Sequence, residues 1–283
     1  MSYQEHLSRF PVQGVATPSG PVQYRQAGLA EQVTHVLLHG IGSGSASWVE
    51  QLRAADGRND LRVLAWDAPG YGGSTPVEPA SPVAADYAQR LWAWLDALEV
   101  RVPLVLVGHS LGCLMAASAA VLAPGRVQRL VLLSPARGYG DASPSERADK
   151  LNSRLANLQR LGPEGMAVAR AAAMLSPTAT LAQIEAVRQT MAQVHVAGYT
   201  QATHLLANGV LARDLAQLHC PVAVASGDAD AITPPVACQQ VAQQAGVAWQ
   251  NLGAVGHACP LEAPEAVNAL LGLVGSAISE ISA

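Results

Sequence analysis

Short apolar runs recur along the chain and predict buried strands. Most of them are rich in Val or Leu, and they lie at residues 34–39, 61–67, 103–108, 129–134, 221–227 and 248–252. Their apolar residues are consecutive rather than alternating with polar ones, which is typical of parallel strands covered on both faces of a sheet. Residues 12–17 and 22–26 flank the turn signal Pro18-Ser19-Gly20 and therefore predict an opening hairpin.

Helical periodicity fills the segments between these runs. Tyr87, Leu91, Leu95 and Leu98 recur at the spacing of one helical face. Residues 111–123 are apolar nearly all round, as expected of a helix packed centrally against a sheet. Because strand and helix patterns alternate, the sequence predicts an α/β fold. We expect a mostly parallel, doubly wound sheet that begins with an N-terminal antiparallel hairpin.

The alternation stops between residues 136 and 219, where the sequence shows only helical patterns, and the β/α pattern then resumes. We therefore expect a core domain formed by residues 1–135 and 220–283. Residues 136–219 are expected to be a helical cap, or lid, inserted over one end of the sheet. A separate helical domain with its own core is the alternative.

Composition and charge exclude several classes of protein. Half of the 283 residues are hydrophobic and 13% are charged, which excludes wholesale disorder, and the net charge of −4 argues against a nucleic-acid partner. The first six residues lack the cationic start and apolar run of a secretory signal. The longest nearly apolar stretch, 13 residues at 111–123, is shorter than the ~20 that cross a bilayer. We expect a cytoplasmic protein without membrane contacts, and a homodimer is compatible with the sequence.

A candidate nucleophile lies where one predicted strand meets one predicted helix. Residues 108–112 spell Gly-His-Ser-Leu-Gly and match the pattern G-x-S-x-G, directly after an apolar strand and before the most apolar helix of the chain. In such a turn the serine backbone is strained, and side chains in place of the glycines would collide. This context predicts that Ser110 is a nucleophile, whereas an ordinary turn serine is the alternative.

A serine hydroxyl needs a general base that is itself held by a carboxylate. In the expected chain order of serine, acid and histidine, Asp228 and Asp230 follow the strand at 221–227 and compete for the role of the acid. We favour Asp230, because the loop must run a few residues to reach the histidine, and we expect Asp228 to cap the turn. His257 is the only one of the eight histidines that follows Asp230, which predicts a triad with Ser110.

The glycine-rich loop at residues 39–44 follows another predicted strand and is the candidate for an oxyanion hole. Its donors would be the backbone N–H groups of Ile41 and Leu111. A phosphate-binding loop is excluded because the G-x-x-x-x-G-K-[ST] spacing is absent from the sequence. The candidates for the substrate pocket are Trp48 and Arg137. Trp48 is also compatible with a position in the core.

We expect no metal and no cofactor. The cysteines at 113, 220, 238 and 259 form no CxxC pair and have no histidine at zinc-finger spacing, so buried free thiols are predicted. The expected partner is a small-molecule substrate.

Together these motifs resemble the α/β-hydrolase superfamily, in the branch that uses a serine nucleophile. Five segments match the patterns of this superfamily. They are the HGxG loop (residues 39–42), the D-x-P-G-x-G-x-S turn (67–74), the nucleophile elbow (108–112), the G-x-x-D-x-[IVL]-x-P acid loop (227–234) and the base loop (256–257). The acid-loop match independently places the catalytic carboxylate on Asp230. The resemblance implies the α/β-hydrolase fold, and the serine excludes the dehalogenase and epoxide-hydrolase branches, which use an aspartate.

The resemblance implies a cofactor-free hydrolase of a small carboxylic ester or lactone. One alternative is hydrolysis of a C–C bond in a vinylogous diketone from aromatic-ring degradation, but those enzymes usually carry a tryptophan where this chain has Ala258. A non-catalytic ligand receptor on the same scaffold is a second alternative. Arg137, Arg170 and Arg188, near or within the expected cap, suggest a substrate with a carboxylate, unless they are ordinary surface arginines.

Overall fold

Residues 3–274, which the computed structural model describes, form an eight-stranded sheet with helices on both faces. The strands are β1 (Gln13–Val15), β2 (Val22–Ala27), β3 (His35–Leu38), β4 (Val63–Trp66), β5 (Leu104–His109), β6 (Val127–Leu133), β7 (Val222–Ser226) and β8 (Trp249–Asn251). Their spatial order is β1-β2-β4-β3-β5-β6-β7-β8. Strand β2 is antiparallel to β1 and β4, and the strands from β4 to β8 in this order are parallel. The predicted mostly parallel sheet with an antiparallel N-terminal hairpin is confirmed.

The helices connect these strands. They are α1 (Tyr3–Ser8), α2 (Val49–Ala55), α3 (Ala84–Ala97), α4 (Gly112–Leu122), α5 (Pro144–Arg170), α6 (Leu181–Ala192), α7 (Val196–Asn208), α8 (Leu211–Leu215), α9 (Pro235–Gln244), α10 (Cys259–Glu262) and α11 (Pro264–Leu271). Helix α4 follows β5 directly, so the strand and the helix meet at the G-x-S-x-G segment. Helices α5 to α8 all lie between β6 and β7.

Both faces of the sheet are buried, which explains the continuous apolar runs. Successive side chains of a strand point to opposite faces. Leu106 of β5 therefore joins an apolar cluster with α3 and α4, whereas Val107 joins a second cluster with α2 and α11. The predicted helical face packs against the first cluster, with Tyr87, Leu91 and Leu95 of α3 fully buried. Each such buried side chain contributes about 1.5–3 kcal/mol of hydrophobic stabilisation.

Local capping chemistry defines the helices between β6 and β7. Ser143 precedes α5 and accepts a hydrogen bond from the backbone N–H of Glu146. Thr180 and Gln183 form a reciprocal capping box at the start of α6. Helix α5 is divided by a kink at Gly162, whose φ of 63° lies outside the helical range. The kink divides α5 into two helical segments, and Pro163 follows it directly.

We refer to residues 136–219 as the helical insertion. Its residues and residues of the sheet together line one cavity, which is described below. The division into a core domain and a cap stays a prediction, and residues 1–2 and 275–283 of the expected core lie outside the described residues.

No helix between residues 3 and 274 combines the length and the apolarity that are needed to cross a membrane. All four cysteines are free thiols: Cys113, Cys238 and Cys259 are buried, and Cys220 is half-buried.

A carboxylate in α8 should make the stability depend on pH. Burial raises the pKa of Asp214 from its ordinary value of 3.8 to about 6. Because the folded state binds this proton more tightly than the unfolded chain, the side chain lowers stability as the pH rises from about 4 to about 6. The substitution Asp214→Asn should therefore increase the free energy of unfolding by about 1–2 kcal/mol at pH 7, but not at pH 4.

Urea unfolding at both pH values measures this difference. The exposed Asp149 of α5 offers a matched control, because Asp149→Asn should change the free energy of unfolding by no more than about 0.5 kcal/mol. An equal gain for Asp214→Asn at pH 4 and pH 7 would contradict the titration argument.

Candidate active site

Ser110 lies in the sharp turn between β5 and α4. Its φ of 53° is in the left-handed region, which is rare for a residue with a side chain. Hydrogen bonds hold the strained backbone: its N–H donates to the carbonyl of Leu133 in β6 (2.9 Å), and its carbonyl accepts from the N–H groups of Cys113 and Ala136 (3.1 Å each). The side chain is buried beneath the helical insertion.

The flanking glycines are required by close backbone contacts. A Cβ atom on Gly112 would lie 2.3 Å from the carbonyl oxygen of Leu38 in β3, and one on Gly108 would lie 2.6 Å from the carbonyl oxygen of Gly112. Real Cβ atoms essentially never approach backbone that closely. Helix α4 can therefore begin against the end of β3, which leaves the Ser110 hydroxyl at the carboxyl edge of the sheet.

His257 and Asp230 form a buried pair at the same edge. Asp230 follows β7 and His257 follows β8, and their side chains are 0% and 1% exposed. The imidazole Nδ1 lies 2.9 Å from Asp230 Oδ2 and 3.2 Å from Oδ1. Because an ionised carboxylate only accepts, Nδ1 carries a proton that it donates to Asp230, and Nε2 is the ring nitrogen that faces away from this carboxylate.

The carboxylate of Asp230 is saturated with donors. Oδ1 accepts from the backbone N–H groups of Ile232 and Thr233 (2.9 Å each), and Oδ2 accepts from the hydroxyl of Thr233 (2.8 Å). Burial acts to raise the pKa of Asp230, but the hydrogen bonds from His257 and Thr233 outweigh it and lower the pKa to about 2. The carboxylate is therefore charged throughout the physiological pH range.

The structure pairs Asp230, and not Asp228, with His257. The exposed Asp228 carboxylate instead accepts a hydrogen bond from the side-chain amide of Asn251 (2.7 Å). Thr233 is a contact that the sequence interpretation missed. The acid-loop pattern leaves its position open, so no signal in the sequence distinguished it.

Ser110 and His257 line the same cavity, although the Ser110 hydroxyl forms no hydrogen bond with any residue from 3 to 274. Catalytic hydrogen bonds are often long until a substrate binds.

His109, the residue before Ser110, supports the loop that carries His257. Its Nε2–H donates to the backbone carbonyl of His257 (2.7 Å), and the centroids of the two imidazole rings are 4.9 Å apart. Burial, together with the neighbouring His257, lowers the pKa of His109 to about 3, so this ring is neutral.

The predicted oxyanion donors also reach the cavity. Ile41 and Leu111 both line it, and neither backbone N–H has a hydrogen-bonding partner within the described chain. The loop that carries Ile41 is fixed by His39, whose Nδ1–H donates to the carbonyl of Gly40 (2.8 Å) while Nε2 accepts from the N–H of Ala68 (3.0 Å). Burial lowers the pKa of His39, which agrees with a neutral ring that both donates and accepts.

The cavity has a wide side and a narrow side. The wide side has a volume of about 470 Å³, and the helical insertion contributes Met166, Tyr199 and Leu206 to its walls. The narrow side has about 50 Å³ and is bounded by the apolar side chains of Ala186 and Val187. Ser110 and His257 line both sides, so the serine lies where they meet.

One of the two predicted pocket residues lies elsewhere. Arg137 lines the wide side, and its guanidinium donates to Gln240 Oε1 (2.6 Å). Trp48 is fully buried in the apolar cluster formed with α2 and contacts the His109 ring edge-on at 6.2 Å between centroids. The turn at Ser45–Trp48 leads straight into α2 and directs the indole to the core. Trp48 is therefore a core residue and not a pocket residue.

A buried contact that the sequence interpretation missed joins the base loop to the helical insertion. Glu262 of α10 accepts hydrogen bonds from the N–H of Gly256 (2.9 Å) and from both the N–H (3.0 Å) and the hydroxyl (2.6 Å) of Ser176. The N–H of Ala258 donates to the carbonyl of Met174 (2.8 Å). These bonds hold both neighbours of His257 against the insertion.

Within residues 3–274, no group of three or more His, Cys, Asp and Glu side chains is arranged to hold a metal ion. Next to one another in the cavity wall lie Ser110, His257 and the backbone N–H groups of Ile41 and Leu111, and Asp230 is bonded to His257. This arrangement is suited to acyl transfer.

The chain is similar in fold or in sequence to several known proteins. An esterase from Thermogutta terrifontis has a TM-score of 0.79 at 22% identity, with 93% of this chain and 97% of that chain covered. The enol-lactonase from Burkholderia xenovorans LB400 has a TM-score of 0.78 at 19% identity, with 92% and 99% covered. In sequence, the (E)-2-((N-methylformamido)methylene)succinate hydrolase of Acinetobacter baylyi is 26% identical over 242 residues, which are 82% of this chain and 86% of that protein.

Other curated relatives match over shorter regions. Their alignments cover 27–31% of their own length, so the chain spans less than a third of those proteins. The sequence pattern of the Alpha/beta hydrolase family, in contrast, matches residues 36–270, from β3 to α11. Since this match extends over most of the chain, the protein belongs to the alpha/beta hydrolase family.

Proposed function

We propose that the protein is a cofactor-free serine hydrolase that cleaves a small carboxylic ester or lactone through an acyl-enzyme. The observation that carries this proposal is the buried Asp230–His257 pair, which shares a cavity with the strained Ser110. The free N–H groups of Ile41 and Leu111 at the same cavity support it. The esterase and the enol-lactonase with the same fold support the substrate class.

In the acylation step, Ser110 Oγ attacks the carbonyl carbon of the substrate and its proton moves to His257 Nε2. The oxygen that becomes negative accepts hydrogen bonds from the N–H groups of Ile41 and Leu111. One donor of this kind is worth about 3–4 kcal/mol in the transition state. When the tetrahedral intermediate collapses, the C–O bond to the alcohol breaks and His257 returns its proton to the leaving oxygen.

In the deacylation step, His257 accepts a proton from the water that attacks the acyl carbon. It returns this proton to Ser110 Oγ as the bond between Oγ and the acyl carbon breaks and the acid is released. The charged Asp230 holds the Nδ1–H tautomer and stabilises the imidazolium in both steps, because its low pKa keeps the proton on the ring. For a lactone, the leaving alcohol stays attached to the acyl chain and departs with it. The helical insertion serves in this proposal as the cap that excludes water from the cavity.

Replacing the nucleophile tests the proposal. With p-nitrophenyl butyrate as substrate, Ser110→Ala should lower kcat by at least about 10³-fold, because the covalent route is lost. A fluorophosphonate probe should label the wild-type enzyme but not this variant. Ser118→Ala, in the same helix α4 and also buried, is the control and should retain activity within about twofold.

Three results would contradict the assignment in different ways. Undiminished turnover by Ser110→Ala would exclude this serine as the nucleophile. A folded wild-type protein that resists the fluorophosphonate and turns over no ester or lactone would indicate a non-catalytic receptor. Decay of a yellow ring-fission product, with esters and lactones left intact, would indicate C–C bond hydrolysis instead.

The two aspartates of the acid loop provide a matched pair of variants. Asp230→Asn should reduce kcat by about 10³–10⁴-fold, because an amide can present its N–H to Nδ1 and favour the wrong imidazole tautomer. Asp228→Asn, two residues away and exposed, should change kcat by less than about twofold. Steady-state kinetics near pH 8 measure both, and similar losses in the two variants would refute the assigned role of Asp230.

A further inference from the structure

The charged side chains around the wide side of the cavity differ in depth. Asp141, Glu146 and Arg137 are exposed, whereas Arg154 and Arg170 of the helical insertion are half-buried. The negative groups thus lie at the rim, where water screens them. The charged groups of the wide side that are less exposed are the two guanidinium groups.

These two arginines have no partner within the described residues. Neither guanidinium forms a hydrogen bond or an ion pair with any residue from 3 to 274. The other arginines that the sequence suggested are already engaged: Arg137 donates to Gln240, and Arg188 pairs with Glu185 (2.6 Å) and faces a different cavity. A half-buried guanidinium group that forms no hydrogen bond or ion pair is available to bind an anion.

The two guanidinium groups come from different parts of α5. Arg154 precedes the kink at Gly162 and Arg170 ends the second segment, yet both line the cavity that contains Ser110. The kink therefore brings two cations, 16 positions apart in the sequence, to the same substrate space. Guanidinium groups present parallel N–H donors, the geometry that binds a carboxylate.

The narrow side offers the opposite environment. With a volume of about 50 Å³ and walls that include Ala186, Val187 and Met191, it accommodates a short alkyl group but no hydrated charge. A substrate whose scissile carbonyl lies at Ser110 must then extend its larger part into the wide side. This part meets Arg154 and Arg170.

We infer that the substrate is an anionic ester or lactone, with a carboxylate held by Arg154 and Arg170 and a short apolar group in the narrow side. This inference rests on the proposed function, which it deepens by naming the substrate class. The carboxylate binds away from the reacting bond and takes no part in the chemistry. Its contribution is to fix the orientation of the ester against Ser110 and the oxyanion donors.

Two isosteric substrate pairs test the inference. Monomethyl glutarate and methyl pentanoate differ by a carboxylate on the acyl side, and 4-acetoxybutanoate and butyl acetate differ by one on the alcohol side. Hydrolysis of all four is followed by pH-stat titration. For at least one pair, the wild-type enzyme should show a kcat/KM about 10- to 100-fold higher for the anionic member, as expected for charged hydrogen bonds.

The double variant Arg154→Gln/Arg170→Gln should abolish this preference, mainly through a higher KM for the anionic substrate. Its kcat/KM for the neutral esters should stay within about twofold, which also shows that the variant is folded. The control is Arg160→Gln, which removes an exposed arginine of the same helix that is bonded to Asn157, and it should keep the preference.

The outcomes separate this inference from the proposed function. No preference for either anionic substrate in the wild-type enzyme, or a preference that survives in the double variant, would overturn the inference while ester hydrolysis itself stands. Failure of the wild-type enzyme to hydrolyse any of the four esters would instead count against the proposed function.

Discussion

Ser110 can hold a left-handed backbone only because neighbouring segments approach it without side chains. A residue in this conformation is strained by about 1–3 kcal/mol. Hydrogen bonds to Leu133 and from Ala136 offset the strain from two sides of the turn. Gly40 completes the arrangement, since a Cβ atom there would lie 2.9 Å from Ser110 Cβ. Ser110, the start of α4 and the glycine-rich loop at residues 39–44 thus share one packing constraint, and the sheet order β3–β5–β6 satisfies it.

Near Ser110, one buried anion already has its hydrogen-bonding partners, whereas two half-buried cations of the cavity wall have none. Asp230 is buried, but the donors of Ile232, Thr233 and His257 stabilise its charge without help from a ligand. Arg154 and Arg170 have no such partners within the described chain. In our proposal the acid is therefore held in place before substrate arrives, whereas the two cations obtain a partner only when substrate binds.

Much of the fold and of the reacting centre is predictable from sequence because both depend on local signals. Apolar runs such as 103–108 must be buried on both faces, and the glycines around Ser110 report a tight turn directly. The pairing of Asp230 with His257 follows from chain order and loop position. The prediction for Trp48 was wrong, because the sequence of a short turn does not indicate whether an aromatic side chain faces the core or the pocket.

The contacts that sequence reasoning missed are formed between distant segments. Glu262 and Ser176 are 86 positions apart, and neither belongs to a recognisable spacing pattern. Arg154 and Arg170 line the same cavity from either side of the bend at Gly162, and in the sequence an arginine on a polar helix is indistinguishable from a solvated one. The positions of these side chains depend on how the helical insertion packs on the sheet, which involves contacts between distant parts of the chain.

Glu262 also constrains how a substrate can reach the serine. In the proposed mechanism, lifting the segment around Ser176 would deprive the carboxylate of two donors and weaken the support of the loop that carries His257. A route for substrate that leaves this segment in place would keep those bonds and hold the proposed base in position between turnovers.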